Sequence, residues 1–275
     1  MEQAEHGKKG MKTYALIATA LLAALAFGLQ LGQGFASIDT GWGMKIDLVA
    51  VPLLLAFFIF GYESAFYCAI LLALFITFFS NSGFIGAVMK ISATLPMFVI
   101  PALFVLATKK KTDYGKVVAL LVFGILATLA VFAASGYAGL FLAPVGKEAA
   151  GLATVVVLIV ISIGFLWMWR SFGSHDETAA MKNPLNAMLA LALAVIVRGV
   201  SMIVANIYFA GPLFFKISPA QLVQMIESVE FPLLGKGVPF YFIIFFWNAV
   251  QAVAEFAIAW AIAYKFSIAE KYGSR

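Results

Sequence analysis

A chain of 275 residues, 64% of them hydrophobic and 11% charged, with a mean hydropathy of +1.02, cannot be an ordinary soluble domain, where roughly a quarter of residues are charged; the composition is that of an all-α, multi-spanning membrane protein. The net charge of +5 does not point to nucleic acid, because the basic residues flank apolar segments and form no basic face or stripe. A single cysteine, Cys68, rules out a disulfide framework and a cysteine metal cluster.

A spanning helix needs about 20 mostly apolar residues, fewer where neighbouring protein shields it. Eight stretches qualify. After a polar tail, residues 1–12, the first runs from Thr13 to Gly32. Lys8, Lys9 and Lys12 ahead of it resemble the start of a signal peptide, but the apolar run is longer than a signal's and lacks a small-x-small exit, so a retained helix is expected. Asp47 to Phe60 and Tyr62 to Ser80 are short and separated only by Gly61, which makes them either one broken hairpin or two tilted helices. Phe84 to Ala107 completes a first group of four helices, residues 13–107. Tyr114 to Gly136 and Gly151 to Trp169 lie within residues 108–184. The last pair, Leu185 to Phe214 and Phe240 to Tyr264, occupies residues 185–266 around a loop at 215–239, and residues 267–275 form a polar tail. In that loop Leu222, Met225, Ile226 and Val229 share one side of a short amphipathic helix.

Lysine and arginine set the expected orientation. With the N-terminus in the cytoplasm, eight spans put most basic residues inside, among them Lys109, Lys110, Lys111, Arg170 and Lys265, and leave Lys45, Lys147, Lys216 and Lys236 outside. Both termini are then cytoplasmic, and the stretch "MKIDLVAVP", Met44 to Pro52, faces out.

Several familiar enzyme chemistries are excluded by inventory, and no enzyme is expected. The two histidines, His6 and His175, lie in polar flanks, so the helices cannot build a Ser-His dyad, a haem ligand or a histidine zinc site. Asp47 is the only aspartate touching a span and stands at its edge, which leaves no aspartyl pair. Gly146-Lys147 and Gly235-Lys236 lack the spacing and the following Ser or Thr of a phosphate-binding loop, so ATP-driven work would fall to another subunit. No cofactor is expected.

What remains is a sparse set of polar residues inside apolar segments, where each is costly unless paired or facing a cavity. They are Lys90, Arg198, Asn206, Asn248, Gln251 and Glu255. The last three are spaced i, i+3, i+7 and share a helix face. Counted by helical rise, Arg198 and Glu255 reach comparable depth, which predicts an ion pair beneath an outer pocket bordered by Asn206 and Asn248. Blander roles stand beside these: a structural ion pair, amides that only join helices, a snorkelling Lys90, and Lys45 and Asp47 as interfacial anchors.

The run "GMKIDLVAVPLLLAFFIFGYESAFYCAI" resembles the signature of the substrate-binding S components of energy-coupling factor (ECF) vitamin importers, particularly the riboflavin type. It has the Lys-x-Asp lip, a proline a few residues on, and a Phe-Gly junction between the second and third helices. "ATALLAALAFGLQ", "SNSGFIGAVMKISATLPMFVIPALFVLATKKK", "VANIYFAGPLF" and "FFWNAVQAVAEFAIAWAIAYKF" are similar to further helices of that family. The chain departs from it at Gln251, where the riboflavin pattern has lysine, at Lys90, near a family asparagine, and in residues 108–184, which add a helix pair to a six-helix core. The resemblance implies a small vitamin such as riboflavin held by Lys45, Asp47, Lys90, Asn206, Asn248 and Gln251. It also implies a membrane coupling subunit contacting Ala20 and Ala24, two ATP-binding cassette ATPases as partners, and the plasma membrane of a prokaryote. The ladder Ala15, Thr19, Ala23 would likewise admit a partner helix, unless it packs inside this protein. Two readings of other classes stay open: a secondary transporter using Arg198 and Glu255 for proton or ion coupling, and a non-catalytic subunit of a membrane complex.

Overall fold

The computed structural model describes residues 13–34, 37–108, 177–232 and 234–273. The expected spans Tyr114 to Gly136 and Gly151 to Trp169, and the polar tail 1–12, lie outside the described residues. The order is α1 (Thr13–Leu31), a 3-10 turn (Gly32–Gly34), β1 (Ile38–Asp39), β2 (Lys45–Ile46), α2 (Ala50–Phe60), α3 (Tyr62–Phe79) and α4 (Gly83–Thr108). After the gap follow α5 (Glu177–Met181), α6 (Pro184–Ala205) with a π-helical continuation (Asn206–Phe215), α7 (Pro219–Glu227), α8 (Phe240–Trp260) with its own π-helical end (Ala261–Lys265), and α9 (Ile268–Tyr272). Among the described residues five helices are long and apolar enough to cross a membrane: Thr13–Gly34, Tyr62–Phe79, Gly83–Thr108, Pro184–Phe215 and Phe240–Lys265.

Helix α2 is the exception, and the bundle is built around it. It is apolar all round, so no face of it can be left to water, and ten of its 11 residues are buried. Helices α1, α3 and α8 pack against it, while α6 bridges α4 and α8. Eleven residues rise only about 16 Å, roughly half a bilayer core. Gly61 joins α2 to α3 at φ 92° and ψ −174°, a conformation open to glycine and closed to residues with a Cβ, and this single residue reverses the chain. The sequence left a broken hairpin or two tilted helices open; the structure has two separate helices, the first confined to half the thickness.

The two ends of the bundle differ. At the basal end the Tyr14 ring meets Phe60 with centroids 6.2 Å apart, and the Tyr14 hydroxyl donates to the Tyr272 carbonyl at 3.4 Å. There Trp260 Nε1 donates to the Met181 carbonyl at 2.8 Å, and the Tyr264 hydroxyl to the Thr178 carbonyl at 2.6 Å, which fastens α5 to α8. Lys182 pairs with Glu270 on α9 and, by donating to it, holds the Glu270 carboxyl below its usual range. The loop end carries the β1–β2 hairpin, with Ile38 opposite Ile46 and Asp39 opposite Lys45, and the short helix α7. Helix α7 begins with a Ser218–Gln221 capping box and buries Leu222 and Ile226, with Met225 and Val229 partly buried beside them.

Packing in α6 inverts the soluble pattern. Apart from Arg198 and Met202 its inward face is small, with Ala187, Ala190, Ala194, Gly199 and Ala205 buried, while Leu185, Met188, Leu193, Ile196 and Val200 are exposed. That is the arrangement of a helix whose outer face meets lipid and whose inner face must approach its neighbours closely. Helix α1 is built alike: Ala15, Thr19, Ala23 and Ala26 are buried, and Leu16, Ile17, Leu21 and Leu25 are exposed. The Ala15, Thr19, Ala23 ladder therefore packs inside this protein, whereas Ala20 and Ala24 stand on the exposed side.

Gly199 marks the tightest of these approaches, since a Cβ there would lie 2.3 Å from Cδ2 of Phe245 on α8. Gly199→Ala is expected to destabilise the purified protein by about 1–3 kcal/mol, as overpacking does. Adding Phe245→Leu should recover most of the lost thermal midpoint in detergent; no recovery would mean that contact is not the cause.

Candidate functional site

Asp47 is three residues ahead of α2, so the central position of that helix carries this carboxylate into the middle of the bundle, where it is 3% exposed. The edge-of-span position expected from sequence is thus corrected: because α2 is half-length and starts at mid-depth, its lead-in is buried too. A lone buried carboxylate costs several kcal/mol, and here it is met from every side. Lys90 Nζ of α4 lies 2.7 Å from Oδ2, which Gln33 Nε2 also approaches. Gln251 Nε2 of α8 donates to Oδ1 at 3.3 Å and to the Asp47 carbonyl at 3.2 Å. The Val49 amide, at the start of α2, donates to Oδ1 at 3.1 Å. Lys90 does not snorkel outward; its ammonium turns inward to this carboxylate.

The same Gln251 amide reaches Glu255 Oε1 at 3.0 Å, one turn further along α8. Glu255 Oε1 also accepts from the Ala50 amide at 3.4 Å, so two carboxylates meet the amino end of α2, where the helix dipole favours negative charge. Glu255 Oε2 lies 2.8 Å from Arg198 NH1, and both side chains are almost wholly buried. Arg198 Nε in turn donates to Asn248 Oδ1 at 3.4 Å. One polar chain therefore runs Lys90, Asp47, Gln251, Glu255, Arg198, Asn248 across three helices and the α2 lead-in. Its two cations and two anions cancel, which is how a membrane interior tolerates four formal charges.

Apolar layers bound this chain above and below. On the basal side Phe58 packs edge-on against Phe256, centroids 5.1 Å apart, and lies 5.3 Å from Phe57 and 5.6 Å from Tyr264. Toward the loop end lies a second buried cluster containing Trp42, Met202, Leu222, Ile226, Phe231 and Ile244. Met202 and Ile244 are each one turn outward from Arg198 and Asn248, so this cluster is the roof of the polar chain. The hairpin supplies part of it. Met44 Sδ lies 3.8 Å from Asn248 Nδ2, and Gly41 and Gly43 bring the tip close to Val229 and the Phe215 ring.

Of the residues singled out from sequence, Asp47, Lys90, Gln251, Asn248, Arg198 and Glu255 are joined in this one network. Asn206 is buried beside it but donates to the Met202 carbonyl of its own helix at 2.7 Å, where α6 passes into π-helical turns. Lys45 is half-buried in β2, opposite Asp39. Gln33 was not anticipated. It sits in the 3-10 turn after α1, where polar residues are unremarkable, and only its exchange of amide bonds with Gln30, at 3.1 and 3.2 Å, hints that its side chain is fixed.

The fold and this network define a multi-pass α-helical membrane protein with a charge-balanced polar chain at mid-depth. No family model matches the sequence, and no curated protein or solved structure matches it either.

Removing one member of the buried pair leaves its partner uncompensated. Arg198→Met is expected to cost about 3–5 kcal/mol, whereas replacing both Arg198 and Glu255 by Met should restore most of the stability, as apolar substitutes for buried ion pairs do. Thermal unfolding of the single and double variants in detergent measures this. A double variant as unstable as the single one would mean the pair is held for more than its own charge balance.

Proposed function

We propose that this chain is the substrate-capture subunit of an ECF-type, ATP-driven vitamin importer in a prokaryotic plasma membrane. It binds riboflavin or a related small vitamin near its loop end, which faces outward, with both termini in the cytoplasm. A membrane coupling subunit and two ATP-binding cassette ATPases deliver the ligand inward. The observation that carries the reading is the convergence on Asp47. Lys90 and Gln251, 43 and 204 residues away in sequence, meet the lip aspartate of the stretch that resembles the family's signature.

Two further features support it. The polar chain is closed by aromatic packing toward the basal end and roofed toward the loop end by a hairpin and a short capped helix, elements small enough to move. Access from one side suits capture better than conduction. Ala20 and Ala24, the residues the resemblance gives to the coupling subunit, are on the exposed side of α1. Amides such as Asn248 and Gln251 offer a donor and an acceptor together, which suits the alternating edge of a flavin ring, and Trp247 and Trp42 stand near as flat apolar partners.

A second reading, an ion- or proton-coupled secondary transporter, is favoured by the half-length α2, whose amino end meets two carboxylates at mid-depth as broken helices do in carriers. Uptake that is lost with the partner ATPases and indifferent to an ionophore separates the importer from the carrier, and the opposite pattern selects the carrier.

Titrating the detergent-purified protein with riboflavin should give saturable quenching of flavin emission, and Asn248→Ala should weaken it. In cells, Asp47→Asn combined with Lys90→Met, which removes both charges of the pair and strands neither, should reduce uptake far more than it reduces the amount of protein in the membrane. Equal losses would make Asp47 a folding residue only.

A further inference from the structure

Trp42 is the one residue of the hairpin tip driven deep into the roof. It lies between Gly41 at φ 85° and Gly43 at φ 104°, and these two glycines let the chain turn tightly enough to point a large side chain inward. The residue is 7% exposed, and its indole N–H, fully buried, has no hydrogen-bond partner among the described residues. Buried indole donors ordinarily find an acceptor, because leaving one unmade forfeits the hydrogen bond it had with water. Around Trp42 the roof is made of apolar side chains, Met, Ile, Leu and Phe among them, whose only acceptors are weak methionine sulfurs. Beneath it, the polar chain has matched its two cations to its two anions, so neither sign of charge is in excess.

We propose, building on the capture reading above, that the Trp42 N–H is a ligand-binding donor. The ligand it serves presents an uncharged acceptor, a ring carbonyl or ring nitrogen, to the layer between the roof and the polar chain. An ionised ligand group in that layer would lack a counter-charge, since Lys90 and Arg198 already hold Asp47 and Glu255. An acceptor on a flat neutral ring meets both conditions: it satisfies the donor and it slides between apolar side chains. Trp42 thereby selects for ligand chemistry, and the free protein bears the cost of its unmade bond.

The test is Trp42→Phe, which keeps a ring in the roof and removes the donor. Thermal unfolding without ligand and calorimetric titration with riboflavin, thiamine and biotin, which are neutral, cationic and anionic in turn, are run on both proteins. The expected result is that the wild type binds riboflavin and Trp42→Phe binds it about five- to tenfold more weakly, as loss of one hydrogen bond predicts. The unliganded variant should unfold at the same or a higher temperature than the wild type. A Trp that only packs the roof would lower the unfolding temperature along with the affinity, and that outcome overturns the proposal, as does riboflavin binding that Trp42→Phe leaves unchanged. Wild-type protein that takes thiamine or biotin and refuses riboflavin overturns the uncharged acceptor while leaving vitamin capture standing. Binding of none of the three removes the capture reading and this inference with it.

Discussion

A carboxylate in the middle of a membrane bundle must be surrounded before anything else can be arranged, and Asp47 sets that requirement for the whole molecule. Its partners come from the turn after α1 through Gln33, from α4 through Lys90 and from α8 through Gln251, while its own lead-in contributes the Val49 amide. The three side-chain bonds each reach a different helix or its end, so the relative position of three helices is set by the valence of one side chain. Gln251 then carries the constraint to Glu255, and Glu255 to Arg198 on α6. Breaking either ion pair strands a charge in a low-dielectric interior, which is why such a chain holds together as a unit.

The half-length α2 follows from the same constraint. A full-length helix in that central position would have carried its lead-in out to the membrane surface, and Asp47 would have met water. Stopping the helix at mid-depth leaves space above it, and that space is taken by the hairpin and α7. The inner side of the hairpin is covered by protein, with Trp42 buried, while Ile38, Asp39, Gly41 and Gly43 are exposed. The hairpin answers part of its own need, since the Thr40 amide donates to the Met44 carbonyl at 3.1 Å and the Gly41 amide to Asp39 Oδ1 at 2.8 Å.

Much of the frame was legible because membrane helices follow a simple rule. Long apolar runs bounded by charge gave α1, α3, α4, α6 and α8 to within a few residues, and helical rise alone put Arg198 and Glu255 at similar depth, where the structure places them 2.8 Å apart. The amphipathic helix in the loop after α6 was legible through Leu222 and Ile226, whose spacing of four shares one face. The burial of Asp47 was not. Next to an apolar run, an aspartate reads as an edge, and nothing local says whether that edge faces water or lies under a roof. Nor did Gln33 announce itself, because its importance arises from a partner 14 residues further on.

By itself, then, the sequence determined the class of protein, the positions of its long helices and the small set of polar side chains that would need partners, since hydropathy and helical period are local properties. Tertiary structure alone decided that α2 is the central helix, that Lys90 turns inward to Asp47, that a glutamine joins two ion pairs into one chain, and that Trp42 enters the roof with its donor unmatched among the described residues. These depend on which surfaces lie opposite one another across tens or hundreds of residues, and pairing across such distances is set by packing and charge balance acting together.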